Sequence, residues 1–137
     1  RVDGIESIDA AVIVEPGAVF RFTSDSRLQV YPNGSLYAVG TAADSIRFVG
    51  EVSTQGYWDG IEIESNDPAN QLVFIEVGHG GHDSYADVYV SWGASATITN
   101  SRIHHSSTYG IIVENGATAT YSSNTFHDNT LGGVEVQ

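Results

Sequence analysis

Apolar and polar residues alternate in short runs along the chain, and Gly, Asn-Gly or Pro-Gly turns interrupt the runs. Residues 12–14 (VIV), 28–30 (LQV), 61–63 (IEI), 88–90 (VYV), 111–113 (IIV) and 134–136 (VEV) each flank a central position with apolar side chains. A period of two marks a half-buried strand, because successive side chains leave opposite faces of the backbone. No stretch carries a helical period, so an α/β fold is excluded. The segment from Val88 realigns on the segment from Ile111 with a shift of 23 residues and no gap. Val88, Ile111 and Val134 then correspond, as do Gly93 and Gly116, Ile98 and Tyr121, and Ile103 and Phe126. With Val12 taken as the first position upstream, successive spacings are 16, 33, 27, 23 and 23, and the long intervals predict insertions around 51–58 and 78–85.

A sandwich of two sheets has no reason to repeat residue types at one phase. A solenoid does, because each unit is one rung stacked about 4.8 Å from the next. The chain is therefore expected to be an all-β, single-domain solenoid over residues 1–137. It should have about 5–6 rungs of about 23 residues, irregular over 1–60 and regular over 61–137. Alternation sends Val12/Val14, Leu28/Val30, Ile61/Ile63, Val88/Val90, Ile111/Val113 and Val134/Val136 inwards. It sends Ile13, Gln29, Glu62, Tyr89, Ile112 and Glu135 outwards, beside a column of Glu15, Tyr31, Glu64, Ser91, Glu114 and Gln137.

Composition agrees. Val and Ile number 26 against 4 Leu, and 15 of 137 residues are Gly, which favours strands and turns over helices. Five Arg, no Lys and 17 acids leave a net charge of −12. That charge excludes nucleic acid and anionic membrane surfaces as partners, since both need a basic patch. No apolar run reaches the roughly 18 residues of a membrane helix, so no membrane insertion is expected. The absence of Cys removes disulfides and thiol chemistry.

Residues 16–22 (PGAVFRF), 33–42 (NGSLYAVGTA), 46–48 (IRF), 57–61 (YWDGI) and 117–126 (ATATYSSNTF) resemble the right-handed parallel β-helix, or pectin-lyase-like, superfamily. More narrowly, they resemble β-helix segments of secreted and surface-displayed microbial proteins. The resemblance implies a right-handed coil and an extracellular or cell-surface location. It is specific for fold and weak for activity, since one fold hosts lyases, hydrolases, adhesins and inert stalks. It also marks the outward face of the first strands as the place where enzymes of this kind hold substrate. Gly78-His79-Gly80 resembles a short motif of polygalacturonase-like hydrolases, but their Asn-Thr-Asp, paired-Asp and Arg-Ile-Lys signatures are missing.

Three kinds of chemistry remain open. Glu64 and Glu114 share a column two rungs apart, roughly 9–10 Å, near the 6.5–9.5 Å spacing of inverting glycosidase carboxylates. They are weak catalytic candidates, and the balance leans away from an enzyme. Tyr31, Tyr89 and Glu62 are candidates for binding a glycan. His79, His105 and Asp128 share a column, His104 stacks on His127, and Asp83 and Asp87 lie in the second insertion, so Asp83, Asp87, His79, His105 and Asp128 are the metal candidates. No cofactor motif is present. Ca²⁺ is the cation that an excess of acids favours, with Asp59 and Asp67 as further oxygen donors. The family resemblance implies that Trp58 packs beneath the long insertion.

The ends suggest a role. No capping segment is legible, and Val2, Ile5, Ile8, Val134 and Val136 are the expected assembly residues. A count of 15 residues from Val134 to Val12 of a following copy nearly matches the 16 between Val12 and Leu28. Contacts that do not close generate filaments. The expected function is a non-catalytic extracellular structural protein stacking head to tail on itself, or joined to neighbouring domains of a larger surface protein. The alternative is a carbohydrate-binding or carbohydrate-cleaving module.

Overall fold

The computed structural model describes residues 1–137. Short strands form wherever β-branched and aromatic residues alternate with polar ones, and each ends at a turn. The first turn of the coil holds β1 (Ile5–Ile8), β2 (Ala11–Val14) and β3 (Val19–Phe22), and the second holds β4 (Arg27–Val30), β5 (Ser35–Val39) and β6 (Ile46–Gly50). Next come β7 (Gly60–Ile63), β8 (Gln71–Val73) and β9 (Ile75–Gly78), then β10 (Val88–Val90), β11 (Ser95–Thr99) and β12 (Arg102–His104). The coil closes with β13 (Tyr109–Val113), β14 (Thr118–Ser122), β15 (Thr125–His127) and β16 (Gly132–Val136). Every third strand pairs in parallel. The first sheet runs β1-β4-β7-β10-β13-β16, the second β2-β5-β8-β11-β14 and the third β3-β6-β9-β12-β15. The protein is thus a parallel β-solenoid of five turns and one further strand, as the repeat predicts.

Register corrects the first rung. Glu6 and Ile8 pair with Leu28 and Val30, so they occupy the column expected for Val12 and Val14. Val12 and Val14 pair instead with Leu36 and Ala38 in the second sheet. Ser7, not Ile13, opposes Gln29 in the outward column, and Ile13 faces solvent from the second sheet. The spacings between successive first-sheet strands are 22, 33, 27, 23 and 23. The mean repeat is about 26 rather than 23 residues. The misplacement has a simple cause: the VIV triplet at 12–14 matches the later rungs better than IESI at 5–8, whose Glu6 stands at an inward position where only the end of the rod leaves it exposed.

Three apolar ladders fill the interior. From Leu28 onward, Ile61, Val88, Ile111 and Val134 stack in the first sheet. Val14, Ala38, Leu72, Ile98 and Tyr121 stack in the second. Phe20, Phe48, Val77, Ile103 and Phe126 stack in the third. Phe20 and Phe48 lie face to face at 5.1 Å. Burial at about 25 cal/mol per Å² of apolar area supplies most of the stability. Where the chain leaves a sheet, amides replace the ladder. Asn124 accepts from the Ser101 N–H and donates to the Ile98 carbonyl, and Asn129 does the same for Ser106 and Ile103.

Both insertions lie where the spacing puts them, between β6 and β7 and between β9 and β10; the second contains a single 3₁₀ turn at His82–Ser84. Trp58 fastens the first. It is fully buried, stacks on Phe22 at 3.9 Å and donates Nε1–H to the Gly78 carbonyl. From the same insertion, Gln55 Nε2 reaches the Ser106 and Asp128 carbonyls and Thr130 Oγ1. Gly60, at φ 116°, shows why the chain can rejoin the first sheet here, because a Cβ would strike the Ala86 carbonyl.

Of the expected assembly residues, Ile8 is buried in the first rung, and Ile5, opposite Arg27, faces outwards from the sheet rather than along the rod axis. Val2 bridges to Phe22. At the C-terminal side Val134 is half-buried and Val136 exposed.

Trp58→Ala is expected to cost about 3–5 kcal/mol, the range for emptying an aromatic site in a packed interior. Urea denaturation measures it, and an unchanged midpoint contradicts the role given to Trp58.

Candidate functional site

The outward face of the first sheet carries the acidic column. Glu62 is 9% exposed, with Oε2 3.5 Å from Arg27 Nε and Oε1 accepting from Ser91 Oγ at 3.2 Å. Burial pushes its carboxyl above the usual range, against the pull of the Arg27 guanidinium. Arg27 also lies 3.8 Å from Asp59 and stacks on the Tyr85 ring at 4.6 Å. Glu64 and Glu114 do share a column, two rungs apart, and line one shallow cavity of about 450 Å³ with Pro32, Ser91 and Trp92. Both are already engaged. Glu64 accepts from Gln29 at 2.5 Å, while Glu114 accepts from the Tyr89 hydroxyl and from the Trp92 N–H, each at 2.6 Å. Burial and the Glu114 carboxylate raise the Tyr89 phenol far above its ordinary range. Tyr31 falls in the Glu64 column beside Pro32, away from Tyr89. Sequence reasoning missed Trp92, which is 76% exposed and lies over Gly116, where a Cβ would touch its indole at 2.8 Å.

Asp83 and Asp87, the expected calcium donors, differ in their surroundings. Asp87 is fully buried and accepts from the Gly80 N–H at 2.7 Å, and burial pushes its carboxyl well above the usual carboxylate range. Asp83 is instead exposed beside His82, and the two together with Asp59 form a separate group. Asp67 caps its own turn through the Ala69 N–H.

The histidines come together at the end of the third sheet. His79, His105 and Asp128 follow β9, β12 and β15 at equivalent positions, all in the left-handed region with φ of 70°, 58° and 56°. That conformation turns the chain out of the sheet and stacks these three residues on successive rungs. His104 and His127 are the last residues of their strands, pair in register and lie face to face at 4.9 Å. Below His104 stands Gly78, and a Cβ there would come within 2.6 Å of the His104 ring. The glycine of the 78–80 motif therefore makes room for an imidazole.

Each ring has definite partners. His104, 5% exposed, bonds through Nε2 to Glu76 Oε1 at 2.8 Å, and its Nδ1 is 2.8 Å from His105 Nδ1. Glu76 also accepts from Arg47 Nε at 2.8 Å and lies 3.7 Å from Arg102. The His104 hydrogen bond is the main reason its carboxyl is lowered to about 2. His127 is satisfied on both sides, by Asp128 at Nδ1 and by Arg102 Nε at Nε2. His105 Nε2 is 3.6 Å from Asp128. His79 is 9% exposed, its Nδ1 is buried without a partner, and burial and the neighbouring imidazoles depress its basicity. The repeat alignment placed His79 with His105 and Asp128. It also stacked His104 on His127, but it missed Glu76, whose only signal was its in-register spacing from Arg102.

A family model described as right-handed beta helix region matches residues 88–137. No curated protein and no solved structure matches the chain. Together with the three stacked parallel sheets, the match makes the fold a right-handed parallel β-helix, in keeping with the pectin-lyase-like resemblance.

Glu76 sets a pH dependence. Its carboxyl titrates near 2 when folded and near 4.5 when unfolded, so its contribution is complete above pH 4.5 and is lost as the pH falls through 2. Glu76→Gln is expected to lower stability at pH 7 by about 3 kcal/mol. The difference from wild type should shrink steadily below pH 4.5. Denaturation at pH 7, 4 and 2.5 checks this; a constant difference contradicts it.

Proposed function

We propose that this right-handed parallel β-helix is a non-catalytic structural rod that works outside the cell and extends head to tail with further copies of itself. The observation that carries the reading is an apolar cavity of about 420 Å³ at the β1 side, lined by Ile8, Val12, Val14, Phe20, Leu36 and Phe48 among others. These are interior residues that a further rung would cover. The opposite side offers exposed Leu131 and Val136, and half-buried Phe126.

Strand order supports one geometry. β14, β15 and β16 are the outermost strands of the second, third and first sheets, and β1, β2 and β3 those of the first, second and third. A following copy continues the coil when its β1 joins β14, its β2 joins β15 and its β3 joins β16, so it is turned by one sheet, about a third of a revolution. Direct stacking of β1 on β16 would leave strands missing in the other two sheets. The engagement of Glu64 and Glu114 in hydrogen bonds supports the non-catalytic part of the reading. Negative-stain electron microscopy and sedimentation of the 137-residue chain test it: concentration-dependent linear particles are expected, reduced by Val136→Asp, and monomers throughout would refute assembly.

A second reading has one observation of its own, the exposed Trp92 indole beside Glu64 and Glu114. An aromatic face flanked by acceptors suits a neutral sugar ring. Binding on a glycan array, lost in Trp92→Ala, is its expected result; a blank array removes it.

A further inference from the structure

We infer that His79, His104 and His105 form a binding site for a divalent transition-metal ion, with zinc as the preferred occupant. One ring nitrogen of each lies within 4.8 Å of the others. The residues sit on adjacent rungs at the end of the third sheet, where the backbone is held by ladder bonds from the His79 N–H to the His104 carbonyl and from the His105 N–H to the His127 carbonyl.

Two facts point to an ion rather than to satisfied polar packing. The first is His79 Nδ1, buried and without a hydrogen-bond partner, in a ring packed edge-on against His104 at 5.3 Å and beside His105 at 5.2 Å. A buried imidazole nitrogen left unpaired is costly. The second is the outer partner of His104. Glu76 receives the Nε2–H of His104, while Asp128, bonded to His127, lies 3.6 Å from Nε2 of His105, beyond hydrogen-bond reach. A carboxylate on one ring nitrogen directs the proton there and leaves the lone pair on the other, the usual support for a metal-ligating imidazole. His104 Nδ1, left with its lone pair by the Glu76 contact, lies 2.8 Å from His105 Nδ1 in a hydrogen bond, and an ion between the rings would take the place of the shared proton. Tetrahedral zinc, with Zn–N of about 2.0–2.1 Å, sets its nitrogens about 3.4 Å apart. The two rings therefore need to part by only about half an ångström.

The donors select the ion. Three imidazoles suit zinc and its neighbours in the first transition row, whereas calcium and magnesium demand oxygens. His127 is outside the set because Arg102 and Asp128 hold both its nitrogens. Three protein ligands leave a fourth position for water, on the side where His105 is 40% exposed. The net charge of −12 raises the local concentration of cations.

The test uses the 137-residue chain stripped with a chelator. Calorimetric titration with Zn²⁺ is expected to give one ion per chain, and Co²⁺ is expected to give the visible bands of a four-coordinate, nitrogen-rich site. His105→Ala should abolish both signals while leaving the far-ultraviolet dichroism and thermal midpoint of the metal-free protein unchanged; His79→Ala should abolish the same signals. Glu76→Gln should weaken Zn²⁺ binding 10–100-fold, and His82→Ala should leave it unaltered. Absence of a bound ion, survival of binding in His105→Ala, or its loss in His82→Ala overturns the assignment.

Discussion

Parallel, in-register stacking of rungs is the constraint on which the rest of this structure depends. Each rung offers its backbone N–H and C=O groups to the next, and the stack aligns residues of like character at about 4.8 Å. An inward position must then be apolar in every rung, because one polar side chain would sit between two apolar neighbours. Leu28, Ile61, Val88 and Ile111 obey this without exception. Glu6 breaks it only in the terminal rung, where water reaches it.

The same stacking turns a turn residue into a column. His79, His105 and Asp128 share a left-handed backbone conformation and thereby a direction. The strand-end positions beneath them hold Gly78, His104 and His127. Absence of a side chain at Gly78 leaves the space that the His104 ring enters. The insertion at 51–59 closes over this edge, with Trp58 anchored on the Gly78 carbonyl and Gln55 spanning to Ser106, Asp128 and Thr130. Interior packing and the histidine cluster are held by the same loop.

Charge is distributed with similar economy. Arg27 serves Asp59 and Glu62, Arg47 and Arg102 serve Glu76, and Arg1 serves Asp3 and Glu51. Four of the five cations thus neutralise carboxylates on the flanks of the rod. The remaining acids keep a strong negative field around the molecule.

Chain periodicity by itself determined the solenoid, the places of both insertions and the shared column of His79, His105 and Asp128. Each of these follows from local alternation or from a fixed shift between rungs. What it misjudged was the first rung, where VIV at 12–14 imitates the later strands although backbone pairing assigns that column to Glu6 and Ile8. The states of Glu62 and Asp87 were equally hidden, since an outward parity and an acidic side chain say nothing of Arg27, brought to Glu62 from the preceding rung, or of the Gly80 N–H that the second insertion turns onto Asp87. Only the tertiary structure decided which imidazoles converge. Covalent spacing fixes the column, but the direction of a ring depends on the carboxylate, the guanidinium and the empty glycine position that neighbouring rungs place around it.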